Sequence, residues 1–200
     1  MTLRELRRQL RASRRALPDA ERRDADRAIR AALRRLGTWQ RGRRVAVFLS
    51  MPGEVDLRPC LDPAWRCGAR LYVPHIISAR NGTMAFVPLH PGSILHGNRF
   101  GIAEPAGGAR GRIPVRHLDT ILVPLVGFDA CGHRLGMGAG FYDRALRPRL
   151  ERSQSFRRPR LIGIAYSVQQ VERLEPAPWD VALDLVVTER GILRCPVQST

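Results

Sequence analysis

The apolar positions of the first 37 residues recur at the three- and four-residue spacing of an α-helix. One stripe consists of four leucines: Leu3, Leu6, Leu10 and Leu17. Because arginines cover the rest of this segment, the pattern predicts an amphipathic helix. The stretch Pro18-Asp19-Ala20-Glu21 ends it and opens a second helix, whose first turn carries the acids that suit the positive end of the helix dipole. The second helix is predicted to end at Gly37 and to turn four residues inward: Ala25, Ile29, Leu33 and Leu36.

After residue 43 the pattern changes to short apolar runs bounded by glycine and proline, which are typical of buried strands. Strands are predicted at residues 44–49, 70–77, 84–89, 120–126, 161–166 and 185–188, the last with a possible partner at 192–195. Helices are predicted at residues 57–67, 140–149 and 168–174. We expect 84–89 to belong to a smaller sheet or flap and 90–116 to be a loop. Pro124 is awkward for a central strand.

Strands that alternate with helices predict an α/β fold. We expect a mostly parallel open sheet with helices on both faces, preceded by the N-terminal helical pair. The whole chain, residues 1–200, is expected to form a single domain, with the basic segment 1–37 packed on the α/β core.

The formal charge is +16, and all 34 basic residues are arginine. The absence of lysine excludes a Schiff-base enzyme and a Walker-type phosphate loop, because both need a lysine amine. Fifteen arginines and five acids lie in the first 44 residues, which raises the alternative of a nucleic-acid-binding protein. Aromatic residues are only 6% of the chain, and Trp39 is the single one in the basic segment. This segment therefore lacks the aromatic side chains on which nucleic-acid bases would stack. Codon bias toward arginine is the simpler explanation of this composition.

Two further patterns exclude other classes of protein. The four cysteines form no CxxC pair, which argues against a structural zinc site and a dithiol redox motif. No apolar run approaches the roughly 20 residues that span a bilayer, and the N-terminus lacks the apolar core of a secretory signal. We therefore expect a cytoplasmic protein.

Candidate chemistry is concentrated in residues 127–144, where a buried strand leads into a glycine-rich loop and then a helix. Backbone N–H groups at such a junction favour an anion, and Arg134 and Arg144 flank it. Asp143 could hold a divalent cation that bridges phosphate oxygens. The alternative is a glycine-rich turn without a ligand. The spacing is not the G-x-G-x-x-G of dinucleotide-binding folds, so NAD is not expected.

Two other acids are candidates for the same site. Glu54 follows the first predicted strand and could accept hydrogen bonds from an amino-substituted heterocycle; alternatively Glu54 or Asp56 caps the next helix. Asp184 precedes the last strands and could join Asp143 around a metal, or it could be a solvated loop acid.

In this order, the segments resemble the 5-formyltetrahydrofolate cyclo-ligase family over nearly the whole chain. The glycine-rich run that ends at Arg144 is the most specific of them. The segments that carry the resemblance are the basic N-terminal helix and residues 48–54, 100–105, 119–144, 162–166 and 180–189.

The resemblance implies ATP- and Mg²⁺-dependent closure of 5-formyltetrahydrofolate to 5,10-methenyltetrahydrofolate. We expect a monomer without nucleic-acid or membrane partners. The residues implied for ATP are Arg4, Arg7, Arg134, Leu135, Gly136, Met137, Gly138, Ala139, Gly140, Phe141 and Tyr142. Those implied for the folate are Leu49, Glu54, Met137, Gly138, Ala139, Gly140 and Phe141, and those for the metal are Asp143 and Asp184. Another phosphate-ligand enzyme on a related scaffold is a further alternative.

One departure from the family pattern concerns the phosphate contact of the first helix. Leu3 stands where relatives usually have a lysine, so an arginine must take its role. Arg4 is about 100° away around the helix and would have to reach around it, unless another arginine takes the role. Arg7 matches the arginine of the family's own L-R pair.

Overall fold

The computed structural model describes residues 1–149 and 158–196. Its helices are α1 (Leu3–Arg15), α2 (Asp19–Arg35), α3 (Arg58–Arg66) and α4 (Phe141–Leu146). Its strands are β1 (Arg44–Ala46), β2 (Arg70–Ser78), β3 (Thr83–Leu89), β4 (Leu95–Gly97), β5 (Ala103–Pro105), β6 (Thr120–Pro124), β7 (Gly127–Phe128), β8 (Arg134–Leu135), β9 (Arg160–Ile164), β10 (Leu185–Thr188) and β11 (Gly191–Arg194). Among the described residues, no helix is long and apolar enough to cross a membrane.

A seven-stranded sheet in the order β11-β10-β9-β6-β1-β2-β3 forms the centre of the molecule. The five inner strands are parallel, whereas β3 and β11 are antiparallel edges. Helices α2 and α3 cover one face through Ile29, Leu33 and Ala64, and α4 covers the other through Leu146. The predicted α/β fold with a mostly parallel sheet and helices on both faces is therefore confirmed.

Three local predictions were wrong. Strand β3 is an edge of the main sheet and not part of a smaller one, because it pairs with β2 from Leu89 to Thr83. Residues 90–116 are not only loop, since β4 and β5 form a two-stranded sheet there. The helix expected at 168–174 is a single 3₁₀ turn, Ser167–Gln169.

Strand β6 is central although it contains Pro124. Its pairing with β1 stops at Ile121, while its pairing with β9 continues to Pro124. Since Pro124 is the last residue of the strand and lies beyond the β1 pairing, its missing N–H disturbs the ladder little.

Helix α1 packs at the carboxyl ends of the central strands, where Leu10 joins Val126, Leu135 and Leu174 in a small apolar cluster. Gly127 permits this approach, because a Cβ at that position would lie 2.5 Å from Leu10 Cδ1. Thr2 caps the helix in a capping box with Glu5. The basic N-terminal segment is thus docked against the end of the sheet that carries the candidate site.

A buried polar contact joins α2 to the segment that follows β9. The Tyr166 hydroxyl donates a 2.7 Å hydrogen bond to Asp26 Oδ1, and both residues are buried. Burial raises the pKa of Asp26, and the hydrogen bond from Tyr166 partly opposes that change.

We expect Tyr166→Phe to lower the free energy of unfolding by about 1–3 kcal/mol, because it leaves a buried carboxylate without its donor. Urea denaturation at neutral pH measures this loss. Asp26→Asn is the matched control, since the amide oxygen still accepts from Tyr166, and it should cost less than Tyr166→Phe. Equal losses for the two variants would contradict the assignment.

The raised pKa of Asp26 also predicts that the stability of the protein depends on pH. A carboxyl group whose pKa is raised in the folded state stabilises the fold below its unfolded pKa, and that contribution disappears as the pH rises through the folded value. Asp26→Asn removes the titrating group. The free energy of unfolding of Asp26→Asn, relative to that of the unmodified protein, should therefore increase as the pH rises from acidic to neutral.

Candidate active site

A cavity of about 650 Å³ opens at the carboxyl ends of the parallel strands, beyond the point where β1 and β6 stop pairing. Open α/β sheets commonly bind ligands at this edge. Its wall is built by α1, the segment after β1, strands β2 and β3, the region of β5, the glycine-rich run and residues 174–180. One cavity therefore collects segments from nearly the full length of the chain.

The glycine-rich run lies between β8 and α4, and every residue from Arg134 to Asp143 lines the cavity. Gly138 and Gly140 have φ values of +99° and +65°, which side-chain-bearing residues rarely adopt. Helix α4 has only six residues, so its dipole adds little. Affinity for an anion must therefore come mainly from backbone N–H groups and arginines.

Helix α1 presents Leu3, Arg7 and Arg11 to the cavity, which is the four-residue spacing of one helix face. Arg7 Nε donates a 2.9 Å hydrogen bond to the Gly136 carbonyl, which fixes the guanidinium beside the glycine-rich run. Arg4 is exposed and does not line the cavity. The structure thus brings together Arg7 and the glycine-rich run, and it places Arg11 there, a residue that the sequence analysis did not select.

Arg134 and Asp143 form an ion pair in the cavity wall. The Arg134 side chain is only 5% exposed and also donates to the Val181 carbonyl. Burial lowers the pKa of Arg134, whereas the charge of Asp143 raises it. Asp143 keeps 26% of its side chain exposed, so its carboxylate is held in place by Arg134 but remains accessible.

Asp184 lies elsewhere. Its carboxylate accepts from Arg149 and from the Leu161 N–H at 2.7 Å, and it does not line the cavity. The structure therefore does not bring Asp184 together with Asp143, while Asp180 does line the cavity. Within residues 1–149 and 158–196, no group of three His, Cys, Asp or Glu side chains could hold a metal ion.

Glu54 enters the cavity from the turn after β1, and Leu49 lies beside it. The Glu54 carboxylate accepts from the Met51 N–H at 3.1 Å and lies 3.7 Å from Arg14 Nη1. Its side chain is 11% exposed, and this burial raises the pKa of Glu54. Glu54 does not cap α3; Asp56 accepts from the Arg58 N–H at the start of that helix.

An apolar and aromatic wall completes the cavity, and its members were not selected from the sequence. They are Ile76, Met84, Phe100, Ile102, Leu174 and Trp179. The rings of Phe100 and Phe141 meet edge to face, with centroids 6.1 Å apart. Trp179 is 66% exposed on the rim. Phe100 lies in a segment that contributed to the family resemblance, which was the available signal for it.

Buried Glu104 holds the segment around Phe100 against β2. Its carboxylate accepts from the Ile76 N–H at 3.0 Å and from Asn98 Nδ2 at 2.7 Å, and it lies 3.0 Å from His75 Nδ1. Contacts of this kind between separate segments produce no hydrophobic periodicity in the sequence. The sequence pattern of residues 90–116 therefore predicts only a loop.

Comparisons with known proteins identify the family of this chain. The family model described as the 5-formyltetrahydrofolate cyclo-ligase family matches residues 2–189. The cyclo-ligase of Escherichia coli K12 is 42% identical over 144 residues, which are 72% of this chain and 76% of the relative. That of Haemophilus influenzae is 31% identical over 186 residues, covering 92% and 96%.

Solved structures show the same similarity. The solution structure of Aquifex aeolicus 5,10-methenyltetrahydrofolate synthetase superposes with a TM-score of 0.81 at 31% identity, covering 100% of this chain and 96% of the other. The synthetase from Mycoplasma pneumoniae gives a TM-score of 0.73 at 27% identity and covers 94% and 99%.

Proposed function

The chain belongs to the 5-formyltetrahydrofolate cyclo-ligase family, and on this premise we propose that it converts 5-formyltetrahydrofolate and ATP to 5,10-methenyltetrahydrofolate, ADP and phosphate. One observation carries the proposal. A single cavity is lined both by arginines beside a glycine-rich run and by an apolar wall that contains a buried carboxylate. The first set suits a triphosphate and the second a reduced pterin.

In this proposal the nucleotide phosphates lie between α1 and the glycine-rich run. Arg7 and Arg11 supply positive charge from one side, and the backbone from Gly136 to Gly140 supplies N–H groups from the other. Arg11 takes the role that the family resemblance left open at Leu3, because it shares the cavity-facing side of α1 with Leu3 and Arg7.

The folate lies next to the nucleotide, against Glu54 and the apolar side chains of the cavity. Glu54 accepts hydrogen bonds from the N–H groups of the pterin, and Leu49, Met137 and Phe141 provide apolar surface. Because Glu54 is buried and held near Arg14, its orientation is set before the substrate binds, which reduces the entropy cost of binding.

The reaction itself needs no protein nucleophile. The formyl oxygen attacks the γ-phosphorus as the bond to ADP breaks, and this gives an iminium phosphate. N10 then attacks the formyl carbon and loses its proton, and phosphate leaves with the former formyl oxygen. The protein has to align the two substrates and to stabilise the phosphate charge, which positioning and fixed positive groups accomplish.

We also propose that Mg²⁺ accompanies the nucleotide. Magnesium commonly takes one or two carboxylates and completes its coordination with phosphate oxygens and water, and it would neutralise phosphate charge. Asp143 fits this role since it is accessible and held by Arg134, with Asp180 also in the cavity wall. Asp184 would have to leave Arg149 to take part.

We propose that the protein is a cytoplasmic monomer whose partners are the two substrates. One chain builds the complete cavity. Arg7 and Arg11 line that cavity, and Arg14 is buried beside Glu54. We therefore favour a nucleotide over nucleic acid as the partner of these arginines.

Mixing the protein with 5-formyltetrahydrofolate, ATP and Mg²⁺ should produce the near-ultraviolet absorbance of the methenyl product. Omission of ATP or chelation of Mg²⁺ should abolish the signal. If folded protein, verified by circular dichroism, gives no absorbance with all components present, the proposed function is wrong.

Glu54→Gln should raise the KM for the folate about tenfold or more, because a hydrogen bond to a charged acceptor is replaced by a weaker one. The KM for ATP should change much less. Initial rates at varied concentrations of each substrate separate the two. Glu21→Gln, on the exposed surface of α2, is the matched control. A defect confined to ATP would refute the folate role of Glu54.

A further inference from the structure

A second cavity lies at the opposite edge of the main sheet, where β1, β6 and β9 begin. Its volume is about 230 Å³. The turn after α2 forms one side through residues 36–40, and the starts of the strands form the other through Arg43, Asp119 and Arg160. Because the parallel strands run away from this edge, the cavity is separate from the candidate active site.

Its polar lining is predominantly cationic. Three guanidinium groups, those of Arg43, Arg158 and Arg160, surround the single carboxylate of Asp119. That carboxylate is already occupied: it accepts from the Arg44 N–H at 2.9 Å and from Arg158 NH1 at 3.2 Å. Arg43 is 4.0 Å away from it. Among the described residues, three guanidinium groups therefore share one carboxylate, and the lining keeps a net positive charge.

An independent feature of the cavity is the hydroxyl of Thr38. This residue is buried and lines the cavity, yet its Oγ1 has no hydrogen-bond partner among residues 1–149 and 158–196. Buried polar atoms without partners are rare in folded proteins, and a bound ligand or ion is one common explanation. Thr38 and the arginines belong to different elements, and all of them line this cavity.

We propose that this cavity binds a phosphate group, free or esterified, between Arg43 and Arg160, and that the Thr38 hydroxyl turns to donate to it. Guanidinium forks match the geometry of phosphate oxygens, and a hydroxyl can donate to the same group. A volume of 230 Å³ against 650 Å³ in the active-site cavity suits one phosphate with a few attached atoms rather than a nucleotide. Leu36 and Ile162 supply an apolar floor for those atoms.

Nuclear magnetic resonance of the ¹⁵N-labelled full chain tests the site directly. Inorganic phosphate is titrated at constant ionic strength, and glycerol 3-phosphate is titrated in a second series. We expect saturable shifts of the Thr38, Gln40 and Asp119 amides. Saturation by both probes identifies the phosphate group itself as the ligand, whereas saturation by the ester alone identifies an esterified phosphate. Shifts that grow linearly with both probes would overturn the proposal.

Arg160→Gln should weaken this binding about tenfold or more, because a charge-assisted contact is lost. Arg70→Gln is the matched control, since Arg70 is exposed at the start of β2 on the same edge but outside the cavity. Unchanged binding in Arg160→Gln, or equal weakening in both variants, would refute the site. If Arg160→Gln gives an unfolded spectrum, Arg43→Gln replaces it.

The test is independent of the proposed function. Amides near Gly138 report phosphate in the active-site cavity, and their shifts should be the same in Arg160→Gln. Turnover of the folate can be lost or kept without affecting the result at Thr38.

Discussion

Asp143→Asn should reduce turnover at least about a hundredfold, the loss typical of removing one electrostatic group that acts on a transferring phosphoryl group. The amide is a poor ligand for Mg²⁺, so the residual activity should also respond weakly to Mg²⁺ concentration. Asparagine is preferable to alanine here. Arg134 is buried against Asp143, and asparagine keeps a side-chain oxygen that can accept from this guanidinium, whereas alanine leaves the buried cation without that acceptor.

Initial rates from the methenyl absorbance, measured across a Mg²⁺ titration, check this expectation. Asp24→Asn is the control. Asp24 forms an exposed ion pair with Arg27 on α2 and is distant from Asp143 in the sequence. Its rate should match that of the unmodified protein. Full activity with normal Mg²⁺ dependence in Asp143→Asn would remove this residue from the metal site.

Arg7→Gln should lower kcat/KM for ATP by about 10–100-fold, since one guanidinium–phosphate interaction is lost. Arg4→Gln should change it less than about threefold. The two positions carry the same side chain on the same helix, and only Arg7 lines the cavity. The comparison therefore separates a specific phosphate contact from the general positive charge of α1.

Thermal denaturation of both variants is needed beside the kinetics, because Arg7 also bonds the Gly136 carbonyl. If Arg4→Gln proved as damaging to ATP use as Arg7→Gln, the orientation of α1 toward the nucleotide would be wrong.

The fold could be predicted from the sequence largely because its strands are short apolar runs with clear boundaries. The position of β3 could not be predicted, since an edge strand and a separate flap have the same local sequence pattern. Only the pairing of β3 with β2, which includes Leu71, distinguishes the two. The hairpin of β4 and β5 is held by Glu104, a contact between distant segments.

The residues of the candidate site likewise fall into those that the sequence indicates and those that only the structure reveals. The glycine-rich run and Glu54 stand out in the sequence, and the structure places both in one cavity. Arg11 could not be separated from its neighbours until the docked face of α1 was known. Asp184 has the right chemistry for a metal, but the side chains around it, Arg149 above all, determine what it contacts.

The three tryptophans differ sharply in their surroundings. Trp39 is 8% exposed in the core and Trp65 donates to the Leu89 carbonyl, whereas Trp179 stands 66% exposed on the rim of the active-site cavity. Acrylamide should therefore quench chiefly the emission of Trp179. A ligand that fills the cavity will shield that indole and shift its emission, so the protein carries its own optical reporter of occupancy and equilibrium binding can be followed without turnover or an attached dye.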